Sequence, residues 1–197
     1  MQKKIVVLSG HPNPEDTLSK FLADTYETAA KESGHELKRF NLGELKFDPI
    51  LHKGYKVIQE LEPDLKNIED ALKWCDHLFI VYPNWWCTMP ALLKGLFDRV
   101  WLPGFEFHMR RHKDGTQALG WDKLMDGKSA RVVVLSGTRP IFIYTLFGDY
   151  TNEISRGILG FAGFSVSLTR LGPSEHLPKA RAERWRKKIA RLGRMGI

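Results

Sequence analysis

Cysteine is scarce in this chain: Cys75 and Cys87 are the only two, and neither belongs to a metal-type pair. A disulfide-stapled fold is not indicated, and the usage fits a reducing compartment. Long apolar runs are missing as well. The start, MQKKIVVLSG, is basic and then apolar, as in a signal peptide, but its apolar run (5–8) is four residues long and meets a Gly-His-Pro turn. That is too short for a signal core, and no other run approaches membrane-spanning length. The expected location is the cytoplasm. Internal repeats, low-complexity tracts and a linker are also absent, so the 197 residues read as one domain over 1–197.

Charge is unevenly placed. The net +7 equals the balance of residues 178–197 alone, which carry eight Lys/Arg and one Glu. The remaining 177 residues therefore sum to zero. No basic groove interleaved with aromatics runs through the body, so nucleic acid loses its main support as a partner. The basic tail itself reads as a helix with a solvated face.

Hydrophobic periodicity alternates between two types. KKIVVLS (3–9), HELKRFNL (35–42), HLFIVYP (77–83), RVVVLSG (131–137) and FSVSLTRL (164–171) read as strands. Helical spacing covers 17–33, stopped by Gly34, then 64–75 and 90–103, the last with Pro90 in its first turn and Pro103 beyond its end. Residues 148–163 read as a glycine-weakened helix, and 104–128 as a polar excursion. Strands alternating with helices imply an α/β fold with helices on both faces of a parallel sheet. Five strands suit a flavodoxin-like sheet, order 2-1-3-4-5, better than a six-stranded dinucleotide fold.

Three stretches sit where such sheets keep their ligands, at strand carboxyl ends. The first βα turn, SGHPNPEDTLSK (9–20), is neither G-x-G-x-x-G nor a Walker loop. The helix that follows offers free N–H groups to an anion, with Thr17 and Ser19 hydroxyls, the Lys20 charge and the His11 ring as further donors. The plainer reading is a Pro-rich turn with Asp16 or Thr17 as N-cap. After strand three come Pro83, Asn84, Trp85 and Trp86, which could wall a planar ring; paired Trp residues are also common core. After strand four come Ser136, Gly137, Thr138 and Arg139, with Tyr144 eight residues beyond Ser136; the alternative is an aromatic loop packed over the sheet. Lys94, Asp98 and Arg99 read as a solvated helix face. His108 and His112 share i, i+4 spacing without further ligands nearby, and no base adjoins Cys87 to mark it as a nucleophile.

The segment YPNWWCTMPALLKGLFDRVWLPGFEF (82–107) closely resembles the hallmark of the flavodoxin-like NAD(P)H:quinone oxidoreductases. This family includes mammalian quinone reductases, bacterial modulator-of-drug-activity proteins and ancillary subunits of glutathione-gated potassium efflux systems. SGHPNPEDTLSK resembles its flavin-phosphate loop and WDKLMDGKSARVVVLSG its approach to strand four, so the resemblance spans nearly the whole chain. It implies a flavin (FMN, or alternatively FAD), with NAD(P)H as donor and two-electron ping-pong reduction of quinones or similar acceptors. His11, Thr17, Leu18, Ser19 and Lys20 would hold the phosphate. Pro83, Asn84, Trp85 and Trp86 would line the ring, and Ser136, Gly137, Thr138, Arg139 and Tyr144 would complete its site.

Many relatives carry Thr-Thr-Gly-Gly where this chain has Ser136-Gly137-Thr138-Arg139, and mammalian members have a His after the tyrosine that is missing here. Tyr144 is therefore expected to orient an acceptor rather than relay a proton. The resemblance further implies a homodimer with the flavin at its interface. The rival reading is a flavin-binding regulatory subunit with a membrane transporter partner.

Overall fold

The computed structural model describes residues 1–197, the side chain of Gln117 aside. Its strands are β1 (Lys4–Ser9), β2 (Glu36–Asn41), β3 (His77–Pro83), β4 (Phe107–Arg111), β5 (Gln117–Lys123), β6 (Ser129–Leu135) and β7 (Ser165–Leu171). The helices are α1 (Leu18–Glu32), α2 (Pro63–Trp74), α3 (Ala91–Val100), α4 (Pro140–Phe147) and α5 (Lys179–Met195), with a π-helical segment at Glu153–Gly160. Five strands pair in parallel, in the order β2-β1-β3-β6-β7. The expected order 2-1-3-4-5 needs correction on this point: an antiparallel hairpin, β4-β5, intervenes, so the last two sheet strands are sixth and seventh in the chain.

Period-2 alternation splits the sheet residues into two cores. Ile5, Val7, Phe79, Val81, Val133 and Leu135 pack with Leu22 and Tyr26 of α1 and with Trp185 and Ile189 of α5. Their neighbours Val6, Leu8, Leu78, Ile80, Val132 and Val134 pack with α2, α3 and the π-helical segment. Tyr26 stacks on Phe79 with ring centroids 3.8 Å apart, coupling α1 to the middle of the sheet. The basic tail helix is thus anchored by an apolar stripe on α5, and its charges are left to solvent.

Two further readings are corrected. Residues 104–128 hold the β4-β5 hairpin, most of whose residues are exposed, apolar Met109 and Leu119 among the polar ones, so that no clean alternation marks it. The hairpin rests on one ring: Trp121 stacks on Phe161 at 4.4 Å and Phe107 meets it edge-on at 4.9 Å. The stretch 140–147, read as loop, is helical because Pro140 starts it in the first turn. Its sequence gave no amphipathic period because only Ile143 is buried, while Ile141, Phe142, Leu146 and Phe147 stay exposed.

Arg99 is not on a solvated face: its side chain is fully buried. Its guanidinium donates to Glu62 at 2.9 and 3.1 Å, to the Glu60 carbonyl at 2.8 Å and to the Asp48 carbonyl. This single fork fastens the irregular 45–62 stretch to α3. Burial pushes the Glu62 carboxyl up, but the Arg99 hydrogen bonds and the Asp48 N–H outweigh it and hold the pKa below the ordinary value.

Removing Glu62 leaves a buried guanidinium half-paired, so Glu62→Ala should lower unfolding free energy at pH 7 by about 3 kcal/mol. Because the folded pKa is depressed, that stability is present above the ordinary Glu range and lost as pH falls through the lowered value. The gap between wild type and variant in urea unfolding should therefore narrow below about pH 4. A gap that stays constant down to pH 2 would mean the carboxylate charge contributes nothing.

Candidate functional site

The loops that leave β1, β3, β6 and β7 meet at the carboxyl edge of the sheet. After β1 the chain turns through Pro12 and Pro14 over Gly43, where an added Cβ would lie 2.3 Å from the Pro12 carbonyl oxygen. Only glycine permits that approach, which sets where α1 begins. Thr17 is its N-cap, its Oγ1 accepting from Lys20 N at 3.2 Å. The plainer reading of Thr17 thus holds, and its hydroxyl proton remains free to donate. Ser19 is buried and its Oγ has no partner. Lys20 Nζ donates to the Pro14 carbonyl at 3.2 Å. His11 accepts from Asn13 N through Nδ1 at 3.0 Å, and burial lowers its pKa. A neutral ring with Nδ1 accepting leaves Nε2–H as a donor.

Beyond β3, Asn84 N donates to the Leu135 carbonyl at 2.6 Å, tying this loop to the end of β6. Trp85 and Thr88 then exchange backbone hydrogen bonds of 3.0 and 3.1 Å around a two-residue turn. Its central residues, Trp86 and Cys87, have φ of 53° and 64°. Positive φ at both positions is the mirror-image type I turn that normally recruits Asn or Gly. Side chains there cost roughly 1–2 kcal/mol each. The core alternative for the Trp pair fails, since Trp86 is 99% exposed and Trp85 44%. Trp85 is met edge-on by His11 at 5.6 Å, and Thr88 donates to the Glu153 carboxylate.

After β6, Ser136 is buried, with its N–H on Leu171 O at 2.9 Å and its Oγ unpartnered. Its carbonyl accepts from both Ser174 N at 2.9 Å and Ser174 Oγ at 3.0 Å. The two loops touch at Gly172, where a Cβ would stand 2.3 Å from the Thr138 carbonyl oxygen. Glu175 leans on Gly137, its Oε1 3.0 Å from where a Cβ would be. Thr138 and Arg139 are exposed. Ser174 and Glu175 were not among the expected residues. The signal that could have found them is the Gly-Pro turn after β7, a strand carboxyl end like the other three.

His11, Thr17, Leu18, Ser19 and Pro83 line one cleft of about 180 Å³ together with Leu135 and Ser174. Trp85, exposed beside His11, stands next to it, and Ser136 is buried behind it with its carbonyl accepting from Ser174 of the cleft wall. Tyr144 is not brought into the cleft: it lies on α4, 52% exposed. The cleft is smaller than pockets that enclose a whole drug-sized molecule. It suits an anionic group and its attached chain. The first-turn N–H groups of α1 have no intrahelical acceptors, and the unpartnered Ser19 Oγ adds a hydroxyl beside them. The donors present therefore fit a flavin phosphate, with the exposed Trp rings placed to flank a ring system at the rim.

Residues 3–193 match a family described as having a flavodoxin-like fold. The chain is 27% identical over 176 residues to a ribosyldihydronicotinamide dehydrogenase-like protein of Penicillium crustosum, covering 80% of this chain and 62% of that one. It thus spans less than two thirds of that relative's length. It is 26% identical over 196 residues to NAD(P)H dehydrogenase (quinone) 1 of Cavia porcellus, covering 83% and 68%. Among solved structures, an NAD(P)H:quinone oxidoreductase from Methanothermobacter marburgensis superposes with a TM-score of 0.80 at 22% identity, covering 98% of both chains. With its sheet order and a family match over 3–193, the chain belongs to the family with a flavodoxin-like fold, and it is similar to proteins named as NAD(P)H:quinone oxidoreductases.

Proposed function

We propose that this chain binds a flavin at the carboxyl edge of its sheet and reduces quinones or similar acceptors with NAD(P)H. The observation that carries this reading is the cleft in which the α1 N-terminus, His11, Ser19 and Pro83 converge. FMN is the preferred cofactor and FAD the alternative. A bound flavin would supply the two-electron chemistry, taking a hydride from the nicotinamide and passing it to an acceptor at the same face. The chain supplies position and charge. The α1 N–H groups and the Thr17 and Ser19 hydroxyls hold the phosphate, with Lys20 able to leave the Pro14 carbonyl and add its charge. Pro83, Asn84, Trp85 and Trp86 flank the ring, and Trp86 shields one side of it from water. Ser136, its own N–H committed to Leu171, anchors this loop, and the backbone N–H groups of Gly137, Thr138 and Arg139 stabilise negative charge where the ring edge lies.

A homodimer completes this reading. The exposed apolar side chains of α4 and the projecting Trp86 form a surface that a monomer would leave to water. Residues after Phe105 would reach the partner's ring site. The rival, a regulatory subunit on a potassium efflux transporter, draws no support from the relatives' names.

Ser19→Ala leaves the fold untouched because its Oγ has no partner, whereas Thr17→Ala also removes an N-cap and about 1 kcal/mol of stability. Together they should cost about 3–6 kcal/mol of FMN binding and change riboflavin binding little. Calorimetric titration with both ligands checks this. Equal losses for the two ligands would place the phosphate elsewhere.

Sedimentation at micromolar concentration should return a dimer, with Tyr144 brought to the ring site by the covering of α4. Tyr144→Phe should then lower acceptor kcat/KM roughly 2- to 12-fold, one hydrogen bond's worth, while flavin reduction by NAD(P)H hardly changes. A fully active monomer contradicts the assembly, and a loss of orders of magnitude in the reductive half-reaction contradicts the role given to Tyr144.

A further inference from the structure

A second pocket is lined by Lys94, Phe97 and Asp98 of α3 and shares no lining residue with the strand-end cleft. Because α3 follows β3 and runs back across the sheet, its last residues, and this pocket with them, sit toward the amino edge. The pocket holds about 440 Å³, within the range of small-molecule sites. Its walls are largely aromatic. Phe97 and Trp101 meet at 5.1 Å, with interplanar angle 80°, and Phe107 meets Phe161 in the same edge-on fashion.

Three wall residues are charged, Lys94, Asp98 and Glu106, and the last of them stands apart. Glu106 is completely buried, and neither of its carboxyl oxygens has a side-chain partner; the N–H groups of Glu106 and Leu102 lie near enough to favour the charged form without meeting hydrogen-bond geometry. The other charges nearby are already matched. Lys94 and Asp98, both in the pocket wall, pair with each other at 2.6 Å. Across from α2, Lys73 pairs with Glu69 while lying over the Phe105 ring. Nothing among the described residues supplies a cation to Glu106. An unpaired carboxyl group in an apolar wall is costly when charged, and it persists where an incoming group completes it.

We propose that this pocket is a second ligand site, for a small flat aromatic amine or amidine whose cationic nitrogen lies against Glu106. Because the side chain is fully covered in the free protein, ligand entry must turn the Glu106 carboxylate toward the pocket, where it accepts the N–H donors, bidentately from an amidine. The Trp101, Phe97, Phe107 and Phe161 rings bury the aromatic body and add cation–π attraction. The pocket shares no lining residue with the strand-end cleft of the same chain, so its ligand can be tested without added flavin.

Protonation gives this site a distinctive signature. Burial, with a smaller push from Glu69, raises the Glu106 pKa to about 8, while the N–H groups of Glu106 and Leu102 pull the other way. The free site is therefore mostly protonated at neutral pH and must release that proton to receive a cation. Affinity for a permanent cation then rises close to tenfold per pH unit below that pKa and flattens above it.

Isothermal calorimetry on the full chain tests this directly, using benzamidine and its neutral analogue benzamide from pH 6 to 9. Benzamidine should bind in a saturable way, tighten steeply up to about pH 8, and release most of one proton at pH 7 when buffers of different ionisation enthalpy are compared. Benzamide binding should be flat with pH. Glu106→Gln should abolish the pH dependence and weaken benzamidine at pH 8 at least about tenfold. No saturable benzamidine binding, a pH-independent affinity without proton release, or equal binding by the Gln variant each overturns the proposal. The first two readouts need only the wild-type chain, so they decide the matter even if the variant does not fold.

Discussion

Strand β3 is hydrogen-bonded on both flanks, to β1 and to β6, and the rest of the structure follows from that parallel pairing. Parallel strands must be joined by crossovers, so every sheet strand delivers its exit loop to the same edge. The register aligns those exits. Ser9 pairs with Val81, Pro83 with Leu135, and Leu135 with Leu171. Loops distant in sequence are thereby forced into one place, and the cleft is where they meet. The two cores hold this arrangement from both faces, so the edge is rigid while its loops stay open to solvent.

The turn at 85–88 holds two adjacent residues of that edge against their backbone preference, and His176 after β7, with φ of 49°, is a third. Two side chains at positive φ sit between anchors on each side: Asn84 on Leu135, and Thr88 on Glu153. Those anchors keep the turn closed, and the consequence is a Trp ring projected almost wholly into solvent. A folded chain gains nothing from exposing Trp86, so the strain and the exposure together point to a ligand or a partner surface. α4 raises the same question on a larger scale, with four exposed apolar side chains along one short helix.

Much of the fold was legible because its periodicities were clean. The buried strands 5–8 and 78–82 and the caps around α1 follow from local physics. Reading failed where burial and pattern part company. The β4-β5 hairpin is largely exposed, Leu119 included, and is steadied by two aromatic contacts with Phe161, far off in sequence. α4 lacks an amphipathic stripe, and Arg99 looks like a surface residue until Glu62 and the carbonyls of 48 and 60 come into reach through tertiary folding. In the site, the first-loop residues could be named from sequence because a helix N-terminus advertises its donors. Ser174 and Glu175 are marked in sequence only by the Gly-Pro turn after β7, and their contacts with Ser136 and Gly137 arise through tertiary folding.

The central claim is that the carboxyl edge holds a flavin, phosphate inward at α1 and ring outward against the Trp pair. The most direct measurement is an absorbance and fluorescence titration of the purified chain with FMN and FAD, followed by mass determination of the flavin released on denaturation. Saturable uptake, a band near roughly 450 nm and strong quenching of flavin fluorescence by the adjacent Trp rings are the predicted result. No saturable uptake of either flavin contradicts the account.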